Sequence, residues 1–268
     1  MAVDGPEGGA AVGAAGLGVR GPRGWAFRGV GVDAAPGTLV ALVGPSGSGR
    51  TCLLLALTGR MRPAEGTATV GGLRLPKQMA AVRRISALAH VPGVTDLDPA
   101  LTVAEHLRER ALLQRRFDGG LRGLLRPRSE RAATARARIG AALAAAGLDP
   151  AALPKGSRTA VRDLERAEAL RLSLALALIG RPRLLGVDDT DLKLSEAERT
   201  EVWAQLRSLA AAGTTVLAVC SEAPAGADVV VTTMGQHAAP PAGTGTAATS
   251  PTDTDKETAD ALAEARRA

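Results

Sequence analysis

Residues 38–61 read TLVALVGPSGSGRTCLLLALTGRM. TLVALVG (38–44) is a short apolar run ending on glycine, the pattern of a strand buried on both faces. RTCLLLALTGRM (50–61) follows as an apolar helix. Between them lie Gly44, Pro45, Ser46, Gly47, Ser48 and Gly49. Glycines there let backbone amides turn inward around an anion. The helix aims its free N–H groups and the positive end of its dipole at the same point. The candidate phosphate contacts run from Gly44 through Cys52, and the Thr51 hydroxyl suits a Mg2+ shell.

The spacing fits the phosphate-loop pattern G-x4-G-K-[ST] except at Arg50, where the pattern has lysine. An ammonium is a compact point charge, whereas a guanidinium is planar and forked. The chain holds only four lysines (77, 155, 193 and 256) among its 33 basic residues. That bias explains how an arginine arose at 50 but does not restore lysine's geometry. Nucleotide affinity is expected to survive in part and phosphoryl transfer to suffer.

Three further strands are expected, at RLLGVDD (183–189), TTVLAVC (214–220) and DVVVTTM (228–234), the first ending in two carboxylates. Helices over 164–179 and 195–211 separate them, which predicts a parallel sheet covered on both faces. Residues from about Pro99 to Ile179 read as almost all helix. One helix opens at Thr102 with Glu105 three residues on, a capping box, and a second spans 129–148. Residues 1–16 are Gly/Ala-rich and expected to be loose. From Gln236 to Ala268 a Pro/Thr/Ala/Gly-rich tail is expected to be disordered, with a marginal helix at Lys256–Arg267. One domain is left over residues 17–235, with its helical part at about 99–179.

The chain has 268 residues, 46 % hydrophobic and 22 % charged, which excludes a wholly disordered chain. Aromatics are 1 %, so base stacking on aromatic rings is poorly supplied and nucleic acid is a disfavoured partner. Cys52 and Cys220 form no CxxC pair, and the three histidines form no metal-ligand cluster. No run is long and apolar enough to span a membrane, and Asp4 and Glu7 sit where a secretory signal is basic. A chain that is cytoplasmic and soluble, or peripheral through a partner, is expected.

Six ordered segments resemble the nucleotide-binding domain of ABC transporters over about Leu17 to Gly235. PGTLVALVGPSGSGRT (36–51) resembles that family's first core strand and Walker A loop, and EGTATVGG (65–72) the hairpin that follows. DPALTVAEHL (98–107) resembles the start of its helical subdomain. LRLSLALALIGRPRLLGVDD (170–189) resembles the helix and strand ending in Walker B. TTVLAVCSE (214–222) and ADVVVTTMGQ (227–236) resemble the last strands. The resemblance implies an α/β fold: a mostly parallel P-loop NTPase-type sheet, N-terminal antiparallel strands and an all-helical insert. It further implies ATP and Mg2+ as cofactors and a separately encoded transmembrane permease subunit as partner. A homo- or heterodimer with another ATP-binding subunit, at the inner face of the plasma membrane, is also implied.

By position, Asp188 is similar to the Walker B aspartate, and with Thr51 it is the metal candidate. Asp189 stands where the family has its catalytic glutamate. It is one methylene shorter, so it is a weakened general base. Ser221 takes the place of the switch histidine. The family's glutamine falls near Gly93, and none is there. LERAE (164–168) takes the place of the signature LSGGQ. Two carboxylates there repel a triphosphate, although acids also suit a helix's first turn. The dimer-contact aspartate falls near Ser195. The adenine-stacking tyrosine is missing, and Trp25 is either its stand-in or a core or loop residue.

Between Arg108 and Arg138 ten arginines face three acids, a local +7 in a chain whose formal net charge is +6. Such a patch suits an acidic loop of a membrane partner, anionic headgroups, a solvated helix surface or nucleic-acid phosphates. The expected function is an ATP-binding subunit of an ABC-type transport system, with hydrolysis weak or doubtful. The alternatives are a non-catalytic adaptor or regulatory pseudo-ATPase and, behind it, a basic nucleic-acid-associated protein.

Overall fold

The computed structural model describes residues 8–22, 24–118, 128–190 and 194–233. The tail from Gln236 and the centre of the arginine-rich segment lie outside the described residues. The run at 38–44 becomes β3 (Leu39–Val43). It pairs in parallel with β8 (Thr215–Cys220) on one side and β9 (Val229–Thr232) on the other. β7 (Leu184–Val187) and β6 (Ser86–Ala89) extend the sheet to the order β6-β7-β8-β3-β9. β6, β7 and β8 are buried along their whole length, which is why β7 and β8 read as apolar runs rather than alternations, while the short SALA of β6 is not among the expected strands.

A second, antiparallel sheet has the order β2-β1-β4-β5. It is built from β1 (Val12–Gly21), β2 (Gly24–Ala34), β4 (Glu65–Val70) and β5 (Leu73–Leu75). Here the looseness expected for residues 1–16 is corrected for residues 12–16, because Val12 already opens β1, while residues 1–7 lie outside the described residues. Its small residues pair with β2 on one side and β4 on the other, and Val12, Leu17 and Val19 are buried. Glycine and alanine composition marks flexibility in an isolated segment, but a strand paired on both edges loses that freedom.

Helix α1 (Arg50–Leu57) touches both sheets, and every side chain from Cys52 to Leu57 is buried. A helix apolar all round is what such a sandwich requires, and each buried leucine stabilises it by about 1.5–3 kcal/mol. Gly186 of β7 makes room for it: a Cβ there would lie 2.9 Å from Leu54 Cδ1.

α2 (Met79–Ile85) leads into β6. The insert follows as α3 (Val103–Asp118) and α4 (Arg128–Ala146). α5 (Arg166–Leu178) packs on β6, and α6 (Glu196–Ala211) packs on β8. Thr102 and Glu105 form the expected capping box: the Thr102 N–H donates to Glu105 Oε2 at 2.7 Å, and the Glu105 N–H donates to Thr102 Oγ1 at 3.3 Å. Ser195 and Glu198 do the same for α6. The helical reading of the middle is interrupted by three 3-10 turns, Pro150–Ala152, Gly156–Arg158 and Val161–Asp163. Among the described residues no helix is long and apolar enough to cross a membrane. The parallel strands β3, β7 and β8 end at one edge, which brings residue 44, the pair 188–189 and residue 221 into one region.

Candidate functional site

The loop from Gly44 to Gly49 joins the end of β3 to the start of α1. Its glycines are sterically required. A Cβ on Gly44 would lie 2.6 Å from the Thr233 carbonyl oxygen. Gly49, the N-cap of α1, has φ +82°, and a Cβ there would lie 2.4 Å from the Ala26 carbonyl oxygen. Ser48 turns its hydroxyl inward to Thr233 Oγ1 at 2.8 Å, while Pro45, Ser46 and Gly47 are exposed. No side chain caps α1, and the Leu53 N–H donates back to the Gly49 carbonyl at 2.9 Å. The amides before Leu53 are thus placed to receive an anion.

Thr51 Oγ1 donates to Asp188 Oδ2 at 2.7 Å, and the Asp189 N–H donates to Asp188 Oδ1 at 2.9 Å. Asp188 is 3 % exposed. Burial raises its pKa to about 6, with Asp189 adding to the rise and the Thr51 hydrogen bond opposing it. Asp189 sits at φ +50°, in the left-handed region. A hydroxyl and a carboxylate locked together beside free amides form a donor set suited to a hard cation carried in by phosphates. Cys52 is buried, and burial, with Asp188 beside it, pushes its thiol up to about 11.

Arg50 does not follow the pattern of a phosphate-loop lysine. Its Nη1 donates to the Cys220 carbonyl at the end of β8, immediately before the exposed Ser221. Trp25, on β2, lies one residue before the Ala26 carbonyl that crowds Gly49. Its ring carries the Arg28 guanidinium 4.8 Å from its centroid and Arg20 at 6.0 Å, and Arg28 is itself paired with Glu65. The structure therefore brings 44–52, 188–189 and 221 together and sets Trp25 at their border.

Two residues escaped the sequence reading. Thr233, past the end of β9, fixes Ser48. His90, just past β6, sits at φ +48°. Burial and Arg166 lower its pKa while Asp189 and Asp96 pull it up. The position sought near Gly93 is a turn in which the Gly93 N–H donates to Asp96 at 3.0 Å. The register signal for His90 was available only from the pairing Ala89↔Val187, which sets its successor beside Asp188. At the signature position, the Glu165 N–H donates to Glu168 Oε2 at 2.9 Å, so the start of α5 is occupied by its own carboxylate.

A glycine loop between a parallel strand and a helix, with a hydroxyl–carboxylate pair on the neighbouring strand end, defines a P-loop α/β domain. The sequence model of the ABC transporter family matches residues 27–191, and the chain belongs to that family. Its relatives include the Nod factor export ATP-binding protein I of Cupriavidus metallidurans, 33 % identical over 186 residues, 69 % of this chain and 54 % of that protein. The protein of the same name from Cupriavidus pinatubonensis is 34 % identical over 181 residues, covering 68 % and 49 %. The chain thus spans about half the length of the curated relatives it matches. In fold it is similar to a dimeric bacterial ABC transporter cassette (TM-score 0.62, 20 % identity, 79 % of this chain and 88 % of that one). A bacterial Atm1-family ABC exporter with ATP bound gives a TM-score of 0.63 at 20 % identity, covering 87 % and 39 %.

Proposed function

We propose that this chain binds Mg-ATP at Gly44–Thr51 and couples that binding to a separately encoded membrane permease, turning ATP over slowly. The observation that carries the reading is the Thr51–Asp188 hydrogen bond beside the uncapped start of α1. The loop amides would cradle the phosphates, and Thr51 and Asp188 would hold the Mg2+. Bound Mg2+ supplies charge neutralisation between phosphate oxygens. Asp189 is the candidate base, with a short reach and a fixed left-handed backbone. Glu165 and Glu168 set negative charge where the family presents amides to a partner's nucleotide, which favours a heterodimer with an intact subunit over a homodimer. Peripheral association with a membrane through the permease belongs to the same reading.

A second reading, the non-catalytic adaptor, is favoured by Arg50, whose guanidinium is spent on the Cys220 carbonyl. Calorimetry with Mg-ATP and a phosphate-release assay separate the two. Saturable binding lost in Thr51→Ala, with measurable release lost in Asp189→Asn, supports the first. Binding without release moves the chain to the second, and no heat at millimolar nucleotide removes ATP from both.

A further inference from the structure

Two guanidinium groups, those of Arg60 and Arg83, meet at the adjacent Thr58 and Gly59 carbonyls at the opposite end of α1 from the glycine loop, and a third, that of Arg110, lies within electrostatic reach of Arg60. Arg60 follows α1, Arg83 belongs to α2 and Arg110 to α3. Arg60 Nη1 donates to the Thr58 carbonyl at 2.8 Å and to Ser86 Oγ at 2.9 Å, and its Nη2 donates to the Ser86 carbonyl at 3.3 Å. Arg83 Nη1 donates to the adjacent Gly59 carbonyl at 2.9 Å. Arg110 Nε donates to the Leu176 carbonyl, in the last turn of α5, at 3.2 Å. The cluster sits at the start of β6, on the edge of the parallel sheet away from Asp188.

The carbonyls account for only part of the charge. A helix C-terminus carries about half a negative charge, so the ends of α1 and α5 leave roughly two positive charges uncompensated. Among the described ion pairs none involves Arg60, Arg83 or Arg110. Burial lowers the Arg60 pKa to about 10, Arg83 and Arg110 lower it too, and no carboxylate raises it. The donors are also in surplus. Arg83 retains Nε and Nη2, and Arg110 retains both Nη groups, beyond the hydrogen bonds described. Arg83 and its neighbour Arg84 are exposed, so the cluster is reached from solvent along α2.

We propose that Arg60, Arg83 and Arg110 form a second anion site, one that takes a phosphate group. A tetrahedral dianion matches the excess of charge and the several forked donors better than a singly charged carboxylate. The phosphate belongs either to an anionic lipid headgroup or to a small soluble phosphate. Tungstate, a heavy phosphate analogue, is soaked into crystals of the full chain and of Arg83→Gln/Arg110→Gln, and its anomalous peaks are located. A peak among the three arginines that disappears in the double variant is expected. Peaks confined to the glycine loop, or none, overturn the site. Flotation with phosphatidylglycerol or phosphatidylcholine vesicles then assigns the source. Preferential capture by phosphatidylglycerol, reduced roughly tenfold or more in the double variant, gives the headgroup; equal flotation with a retained tungstate peak gives the soluble phosphate. Arg83→Gln alone, at an exposed side chain, keeps both measurements usable where the double variant fails to fold.

Discussion

The Thr51 hydroxyl and the Asp188 carboxylate are joined at 2.7 Å across the gap between α1 and the end of β7. Asp188 is buried, and its pKa is raised to about 6. A raised carboxyl pKa means that the folded chain keeps a proton which the unfolded chain has released. The contribution of Asp188 to the stability of the nucleotide-free chain therefore falls as pH rises from about 4 to about 6 and is level above that. The ionised carboxylate at neutral pH costs roughly 2–3 kcal/mol.

Asp188→Asn should remove that cost. Its amide accepts from the Asp189 N–H, and the Thr51 hydroxyl can reverse to accept from its NH2. The variant is expected to melt about 4–10 °C above the parent chain at pH 7.5, with the gap closing toward pH 4, while Mg2+-dependent nucleotide binding is lost. Melting curves across pH with a parallel nucleotide titration check both halves. An unstable variant at pH 7.5 would show that Asp188 is already compensated.

Gly49→Ala should disable the loop by backbone geometry alone. At φ +82° an alanine is strained by about 1 kcal/mol, and its Cβ meets the Ala26 carbonyl, which is backbone and cannot swing away. A loss of about 2–4 kcal/mol in urea unfolding is expected, with loss of nucleotide binding. Gly140, inside α4 with nothing within 4 Å of a Cβ, is the control. Alanine there should gain about 0.5–1 kcal/mol.

The parallel sheet, apart from its edge strand β6, and the phosphate loop were legible in the sequence because each rests on local pattern. Apolar runs of strand length mark β3, β7 and β8, and glycine spacing marks 44–49. β1 was not legible, since Gly13, Ala14, Ala15 and Gly16 carry no strand signal; pairing on both edges, with the adjacent hairpin strand β2 and the more distant β4, orders this stretch. His90 was hidden for a related reason, because its relation to Asp189 depends on where β6 ends against β7. Arg50 was readable as a departure from lysine. Its carbonyl partner was not, because Cys220 lies 170 residues away along the chain.

Arg50→Lys should release the Cys220 carbonyl and return a compact charge to the start of α1. Tighter Mg-ATP binding is expected, and Arg50→Lys/Asp189→Glu should raise turnover roughly ten- to a hundredfold by restoring the reach of the base. Single-turnover phosphate release, with Arg50→Ala as reference, measures it. No gain in the double variant would place the defect elsewhere in the site, at His90 or at the signature position.

Trp25 offers an optical test of where the nucleotide lies. The chain has two tryptophans, and Trp203 is buried in the core at 7 % exposure. Trp25 is half-buried with Arg28 over its ring and sits one residue before the carbonyl that crowds Gly49. A base arriving beside Gly44–Thr51 should displace or cover that guanidinium and alter the Trp25 emission, because the ring exchanges a cation–π neighbour for a stacked one. The change is expected in the parent chain and in Trp203→Phe, and should vanish in Trp25→Phe. Nucleotide affinity should fall about tenfold in Trp25→Ala, the loss of roughly 1–2 kcal/mol of stacking. A signal that persists without Trp25 would put the base on another surface and leave Trp25 as a brace between β1, β2 and the Arg28–Glu65 pair.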